Sequence, residues 1–319
     1  MSTRFSFIIP AYNEESTLPL LAERLVATGE KLAEPFEILF INDGSTDNTA
    51  AVLDRLAATD SRIRAIHFSR NFGHMAALTA GLDLARADGA VICLDADGQH
   101  PPELIVDMVQ TWRDGADIVQ AVRKSTRGEG PVKRATSKGF YALMNWLSDT
   151  ELKPGAADFR LLDAEVVTVL KQLPERERFV RGLVSWVGFR TSYIEFTAPA
   201  RIDGATKYTL LKMIALAASG ITSFSVRPLR LSLLLAFILV LFAGAYGAFA
   251  LFAYAAGMPI SAGWTSLILV VVLLSSVQLT CVGILSEYMA RVMTEVKQRP
   301  VYVIRKDSSS RRLPRGAGQ

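Results

Sequence analysis

Asp95 and Asp97 stand one residue apart at the end of the apolar run "AVICLDAD", followed by Gln99, His100 and two prolines. Two carboxylates at a strand tip can offer oxygen ligands to a hard divalent cation, Mg²⁺ or Mn²⁺, which keeps positions open for phosphate oxygens. They can equally cap the helix begun by "PPELIVDMVQTW", with Pro101 and Pro102 at its start. An Asp-x-Asp triplet alone does not separate the two. A cation in this place would offset the charge of a departing diphosphate. Further polar residues close three other apolar runs: "PAYNEE", "NDGSTD" and "SRNFGH".

The runs that must position these loops are short and rich in Ile, Val and Phe. "FSFIIPAY", "FEILFIN", "IRAIHF", "AVICLDAD" and "DIVQAV" read as strands, separated by helical patterns such as "TLPLLAERLVATGEKL", "DNTAAVLDRLAA" and "HMAALTAGLDLAR". Regular β/α alternation predicts an α/β fold with a mostly parallel sheet covered on both faces. Ligands of such sheets bind at the carboxyl ends of the strands, so the four polar loops converge on one rim.

The 319 residues suffice for a sizeable core, and half are apolar. The net charge is +4, but residues 287–319 hold eight Lys or Arg against three acids, leaving 27 against 28 in the rest. So local a basicity argues against nucleic acid as a partner. Only Cys93 and Cys281 are present, which indicates no disulfide framework. "MSTRFSFIIPAYNEE" does not read as a secretory signal, so the first part of the chain is expected in the cytoplasm.

Between Leu231 and Ser286 there is no charged residue, and "AGMPISAG" at 256–263 breaks the stretch once. The two segments would span roughly 37 and 33 Å as helices, against about 30 Å of hydrocarbon. Arg227 and Arg230 precede the first, and Arg291, Lys297 and Arg299 follow the second. By the excess of cations on the cytoplasmic side, both ends face the cytoplasm of an inner membrane. A buried helical hairpin in a soluble protein is the alternative. "KYTLLKMIALAASGITSFS", just upstream, suits interfacial helices on the bilayer, or a helix packed on the sheet.

"PAYNE", "NDGSTD" and "DADGQHPPE", in this order on successive strands, resemble the family 2 glycosyltransferases with the nucleotide-sugar-binding GT-A fold. The resemblance extends through "DFRLLD" (158–163), "RFVRGLVSWVGF" (178–189), "RIDGATKY" (201–208) and the two spans. Over nearly the whole chain it is similar to the polyprenyl-phosphate branch, which includes bactoprenol glucosyltransferases and dolichyl-phosphate mannose synthases. It implies residues 1–206 as the catalytic domain, 207–228 as interfacial helices, 229–286 as the two spans and 287–319 as a cytoplasmic segment. The implied reaction is inverting transfer of one sugar from a nucleotide-diphosphate donor, UDP-glucose first, to undecaprenyl phosphate. Another sugar on the same scaffold is the alternative: N-acetylglucosamine, galactose, galacturonic acid, aminoarabinose or mannose.

Carried over by residue, the resemblance sets the nucleotide against Pro10, Tyr12, Glu14 and Asp43, the donor on Asp95, and the metal on Asp97 and Gln99. Asn42 departs from it, since many relatives have Asp there. Arg123, Arg134, Arg201 and Lys207 are the candidates for the acceptor phosphate, whose charge of roughly −1.5 to −2 needs cations. Asp158 matches the aspartate given the catalytic role, together with the metal-loop Asp97. A phosphate with a second pKa of about 6 is already ionised, so Asp158 is expected to orient rather than act as an obligatory base. His100 is expected to shape the metal loop, His74 to head a helix and His67 to be structural. A processive polysaccharide synthase would need a Gln-x-x-Arg-Trp segment, which "QLPERERFVRGLVSW" lacks; a non-catalytic membrane partner would be expected to have lost an acid of the motif. The branch also implies a homo-oligomer, often a tetramer, and "RPVYVIRK" (299–306) reads as a strand that joins a catalytic domain.

Overall fold

The computed structural model describes residues 3–124, 155–176, 178–197, 225–256 and 263–309. An eight-stranded sheet has the order β7-β5-β6-β4-β1-β2-β3-β8. The strands are β1 (Thr3–Ala11), β2 (Phe36–Asn42), β3 (Ile63–Phe68), β4 (Ala87–Cys93), β5 (Ile118–Arg123), β6 (Ala156–Asp163), β7 (Thr191–Phe196) and β8 (Ile304–Asp307). β6 runs antiparallel to both β4 and β5, and β8 antiparallel to β3; the other pairings are parallel.

Alternation along β1 sorts the layers, as the pleat requires. Phe5, Phe7 and Ile9 enter one core with α1 (Leu18–Lys31), α2 (Thr49–Thr59) and α4 (Leu104–Arg113). Ile8 points the other way, into a core with α3 (His74–Leu84), α5 (Ala164–Gln172) and α6 (Val180–Trp186). Burial of such side chains contributes roughly 1.5–3 kcal/mol each and fixes the register that brings the strand ends into line. β4 is shorter than the run that predicts it. The Leu94 amide still donates to the Ile8 carbonyl at 3.1 Å, and the chain then leaves the sheet before Asp95.

α7 (Arg227–Ala255) and α8 (Trp264–Lys297) are long and apolar enough to cross a membrane. They pack as a hairpin in which Tyr288 donates its hydroxyl hydrogen to the Ser225 carbonyl at 2.6 Å. α8 runs past Ser286 to Lys297 and ends where Gln298 turns left-handed, at φ 48°. The chain then returns to the sheet. Tyr302 stacks on Phe68 at 5.3 Å, and β8 closes the β3 edge through a two-pronged ion pair from Arg64 to Asp307 at 3.1 and 2.6 Å. The strand expected over 299–306 thus joins its own domain, beginning later than expected because Val301 and Tyr302 dock by their side chains first. Residues 207–224, expected as interfacial helices, lie outside the described residues.

Candidate active site

Hydrogen bonds link the first three rim loops in series. Asn13, at φ 56°, accepts from the Thr46 amide at 2.8 Å, and its own amide donates to Ser45 Oγ at 3.0 Å. The Glu14 amide donates to Thr49 Oγ1 at 2.9 Å, so the first loop is held by the second. Asp43 ties the second loop to the third by accepting from the Phe72 amide at 2.7 Å and the Gly73 amide at 2.9 Å. The approach is close: a Cβ on Gly44, at φ +64°, would lie 2.2 Å from the Arg70 carbonyl carbon. Burial pushes the Asp43 carboxyl above its ordinary pKa, with the two amides pulling against that shift. Pro10 is buried in β1 beside Ile41, while Tyr12 stands 43% exposed at the rim.

In the fourth loop the Asp95 amide donates to His100 Nδ1 at 2.9 Å. That nitrogen therefore serves as the acceptor of the loop's own backbone amide. The ring is buried and stacked on Phe159 at 5.2 Å, which pulls the loop out of the line of β4. Asp97 Oδ1 accepts from the Gln99 amide at 3.0 Å, and the residue at the cap of α4 is Glu103. Neither aspartate caps that helix.

β6 supplies what the parallel strands do not. Cys93 pairs with Arg160, and continuing this antiparallel register by two residues brings Asp158 level with Asp95. Asp158 is buried and ringed by two guanidinium groups and an imidazole: Arg160 at 2.5 Å, Arg181 at 2.8 Å and His74 at 3.5 Å. Burial alone would raise its pKa, but the His74 contact and the two guanidinium groups hold the carboxyl well below the ordinary range. His74 Nε2 is also 3.5 Å from Asp95 Oδ1. One ring thus bridges the Asp95 loop and Asp158. Arg160 is 1% exposed, shares its face of β6 with Asp158, and has an Nη1 with no hydrogen-bond partner. Cys93, beneath the site, is inert packing: burial pushes its thiol up to about 12.

Arg160 and Arg181 are the additions to the residues expected from sequence, while His74 heads α3 as expected and also reaches the site. An arginine beside an aspartate two positions away in a strand was the one available signal. On the other side, Arg123 is exposed at the end of β5, its amide donating to the Gly155 carbonyl at 2.9 Å. Arg134, Arg201 and Lys207 lie outside the described residues.

Among the described residues no three His, Cys, Asp or Glu side chains converge as an ion-holding cluster. A Mg²⁺ or Mn²⁺ site completed by substrate phosphates needs only one or two protein carboxylates. Oxygen donors on Asp95 and Asp97 suit such an ion, and Asp95 Oδ1 is a buried atom accepting no hydrogen bond.

Residues 6–168 match glycosyl transferase family 2, and the chain belongs to that family. It is a glycosyltransferase with the GT-A arrangement of strands and helices. A bactoprenol glucosyl transferase from Shigella phage SfII is 39% identical, covering 95% of this chain and 98% of its own. The uncharacterized glycosyltransferase YkcC of Bacillus subtilis strain 168 is also 39% identical, covering 95% and 94%. Among solved structures, mannosyl-3-phosphoglycerate synthase from Rubrobacter xylanophilus is similar with a TM-score of 0.46 at 18% identity, over 68% of this chain and 71% of that one.

Proposed function

We propose that the protein transfers one sugar, with inversion, from UDP-glucose to the phosphate of undecaprenyl phosphate at the cytoplasmic face of the membrane. The observation that carries this is the 39% identity to a bactoprenol glucosyl transferase over 95% of the chain, a length that includes both apolar helices. The nucleotide is assigned to Pro10, Tyr12, Glu14 and Asp43, the donor to Asp95, and a divalent cation to Asp97 with Gln99. The cation, when bound, would offset charge on the diphosphate leaving group. Residues 1–206 form the catalytic part in this proposal, with both chain ends in the cytoplasm.

Asp158 is assigned an orienting role. A carboxylate that burial would raise but that His74, Arg160 and Arg181 hold well below its ordinary pKa is a weak base at neutral pH. The acceptor phosphate, with a second pKa of about 6, has little need of one. What Asp158 does is fix Arg181, whose side chain is 31% exposed, where an anion at the rim can meet it. Arg123, Arg134, Arg201 and Lys207 are assigned to the acceptor phosphate. A homo-oligomer, as the polyprenyl-phosphate branch implies, belongs to the same proposal.

The test is a panel of labelled nucleotide sugars offered to purified full-length protein with undecaprenyl phosphate and Mg²⁺. Label from UDP-glucose is expected in the lipid extract. Labelling from another sugar nucleotide alone would replace glucose, and none from any donor would remove the acceptor assignment.

A further inference from the structure

On the far side of the third rim loop lies a cavity of about 480 Å³ that the proposed reaction does not use. Five cations line it: Arg70 from the loop, Arg176 and Arg178 before α6, Lys297 at the end of α8, and Arg299 beyond it. Phe72, Met75 and Val301 supply apolar wall. Two carboxylates reach this lining. Asp83 is 3.6 Å from Arg178, and Glu295 accepts from the Arg176 amide at 2.9 and 3.1 Å. Among the described residues, Arg70, Lys297 and Arg299 form no ion pair. The Arg70 guanidinium is pre-set over the Phe72 ring at 4.1 Å, with Nη1 donating to the Asn71 carbonyl at 2.9 Å.

Like charges gathered on one concave wall repel unless an anion enters, and guanidinium groups match phosphate oxygens in shape as well as charge. The volume falls within the roughly 300–1,000 Å³ usual for small-ligand sites. We propose that this cavity is a second phosphate site, separate from the reaction rim, which takes a soluble phosphate or phosphate ester through Arg70, Lys297 and Arg299. The level of the site favours a soluble source. Arg227, Arg230 and Glu287 bound the uncharged helices, and Lys297 lies ten residues beyond Glu287. That is about 15 Å of helix, against a headgroup layer of roughly 5–8 Å. An anion held here joins α8 to the loop whose Phe72 and Gly73 amides hold Asp43. It would stiffen the catalytic rim from behind.

The experiment is hydrogen exchange on the full chain in phosphatidylcholine nanodiscs, with inorganic phosphate compared against potassium chloride of equal ionic strength. Phosphate is expected to slow exchange at residues 70–73 and 297–301. The double variant Lys297→Gln/Arg299→Gln, at two exposed positions away from the rim, is expected to weaken that response at least about tenfold. An unchanged thermal midpoint in chloride checks its fold, and Arg70→Gln serves as the second variant. An identical phosphate response in wild type and both variants would overturn the site. Protection that appears only when phosphatidylglycerol is added to the nanodiscs would overturn the soluble source. Neither readout depends on the sugar or the acceptor.

Discussion

Asp43 and Asp158 are both buried carboxylates at the same rim, and they are neutralised by opposite means. Asp43 is held by two backbone amides, which carry partial charge, and burial leaves its pKa raised. Asp158 is held by two guanidinium groups and the His74 ring, and despite burial its pKa falls well below the ordinary value. Amides can fix a loop but contribute no mobile charge; side-chain cations keep a full anion in place and are themselves held facing the site. The first arrangement builds the rim, and the second charges it.

Removing the cation-held anion should have the largest effect. Asp158→Asn leaves Arg160, 1% exposed, without its counter-charge, a change that costs roughly 3–5 kcal/mol when a buried pair is broken. A fall in the thermal midpoint together with loss of transfer is expected. Residual activity should recover as pH rises past about 6 and the acceptor dianion fills; background activity from pH 6 to 9 with donor binding intact would restore Asp158 as the base. The acid limb carries a second signature. With a folded pKa depressed below the unfolded value of about 3.9, Asp158 contributes stability above that pH and loses it on further acidification. Asp158→Asn should lack this part of the acid transition.

Asp97 tests whether a third carboxylate belongs to neither class. Asp97→Asn should lower transfer by about 10²–10³-fold and abolish the Mg²⁺ dependence of donor binding, measured by calorimetry, with the fold intact. Unchanged metal dependence would withdraw Asp97 as a ligand.

Asp43→Asn should cost about 1–3 kcal/mol, because an amide nitrogen now faces one of the two backbone donors. Its pH signature has the opposite sign to that of Asp158. A raised folded pKa means the ionised form is disfavoured in the fold, so stability is gained as pH falls through that pKa. Equal acid transitions in the two asparagine variants would erase the distinction drawn here.

The smallest effect should come from Asp307, a cation-held carboxylate away from the site. Arg64 and the Ser309 contacts, set against burial, lower its pKa to about 2. Its contribution is present above about 3.9 and lost as pH falls towards about 2. Asp307→Asn should lower stability by up to about 1 kcal/mol and speed amide exchange in β8, leaving the rim unchanged.

The parallel strands and their polar ends were legible because a period of two and a helical period alternate without interruption from Phe5 to Val122. The direction of β6 was not. "DFRLLD" has the same alternation whichever way the strand runs, and only the antiparallel register with β4, which ends with Cys93 opposite Arg160, carries Asp158 towards the Asp95 loop. Arg160 was hidden for a related reason: a charged residue inside a strand reads as solvent-facing, and its burial is intelligible only once Asp158 is seen on the same face. Asn42, a departure from the family pattern, gains a local explanation. Its Nδ2 donates to His67 Nδ1 at 3.0 Å, which a carboxylate could not do, and its Oδ1 accepts from the Ser45 amide at 3.0 Å. The acceptor side stays with the sequence, since Arg134, Arg201 and Lys207 are outside the described residues.

β8 sets the order in which the protein can be made. The strand that closes the β3 edge emerges from the ribosome after both apolar helices, so during synthesis β3 presents an unpaired edge until both helices have been made. The sheet is finished last. A chain that stops before Arg299 therefore leaves the β3 edge without its antiparallel cover and open to pairing with a neighbouring chain.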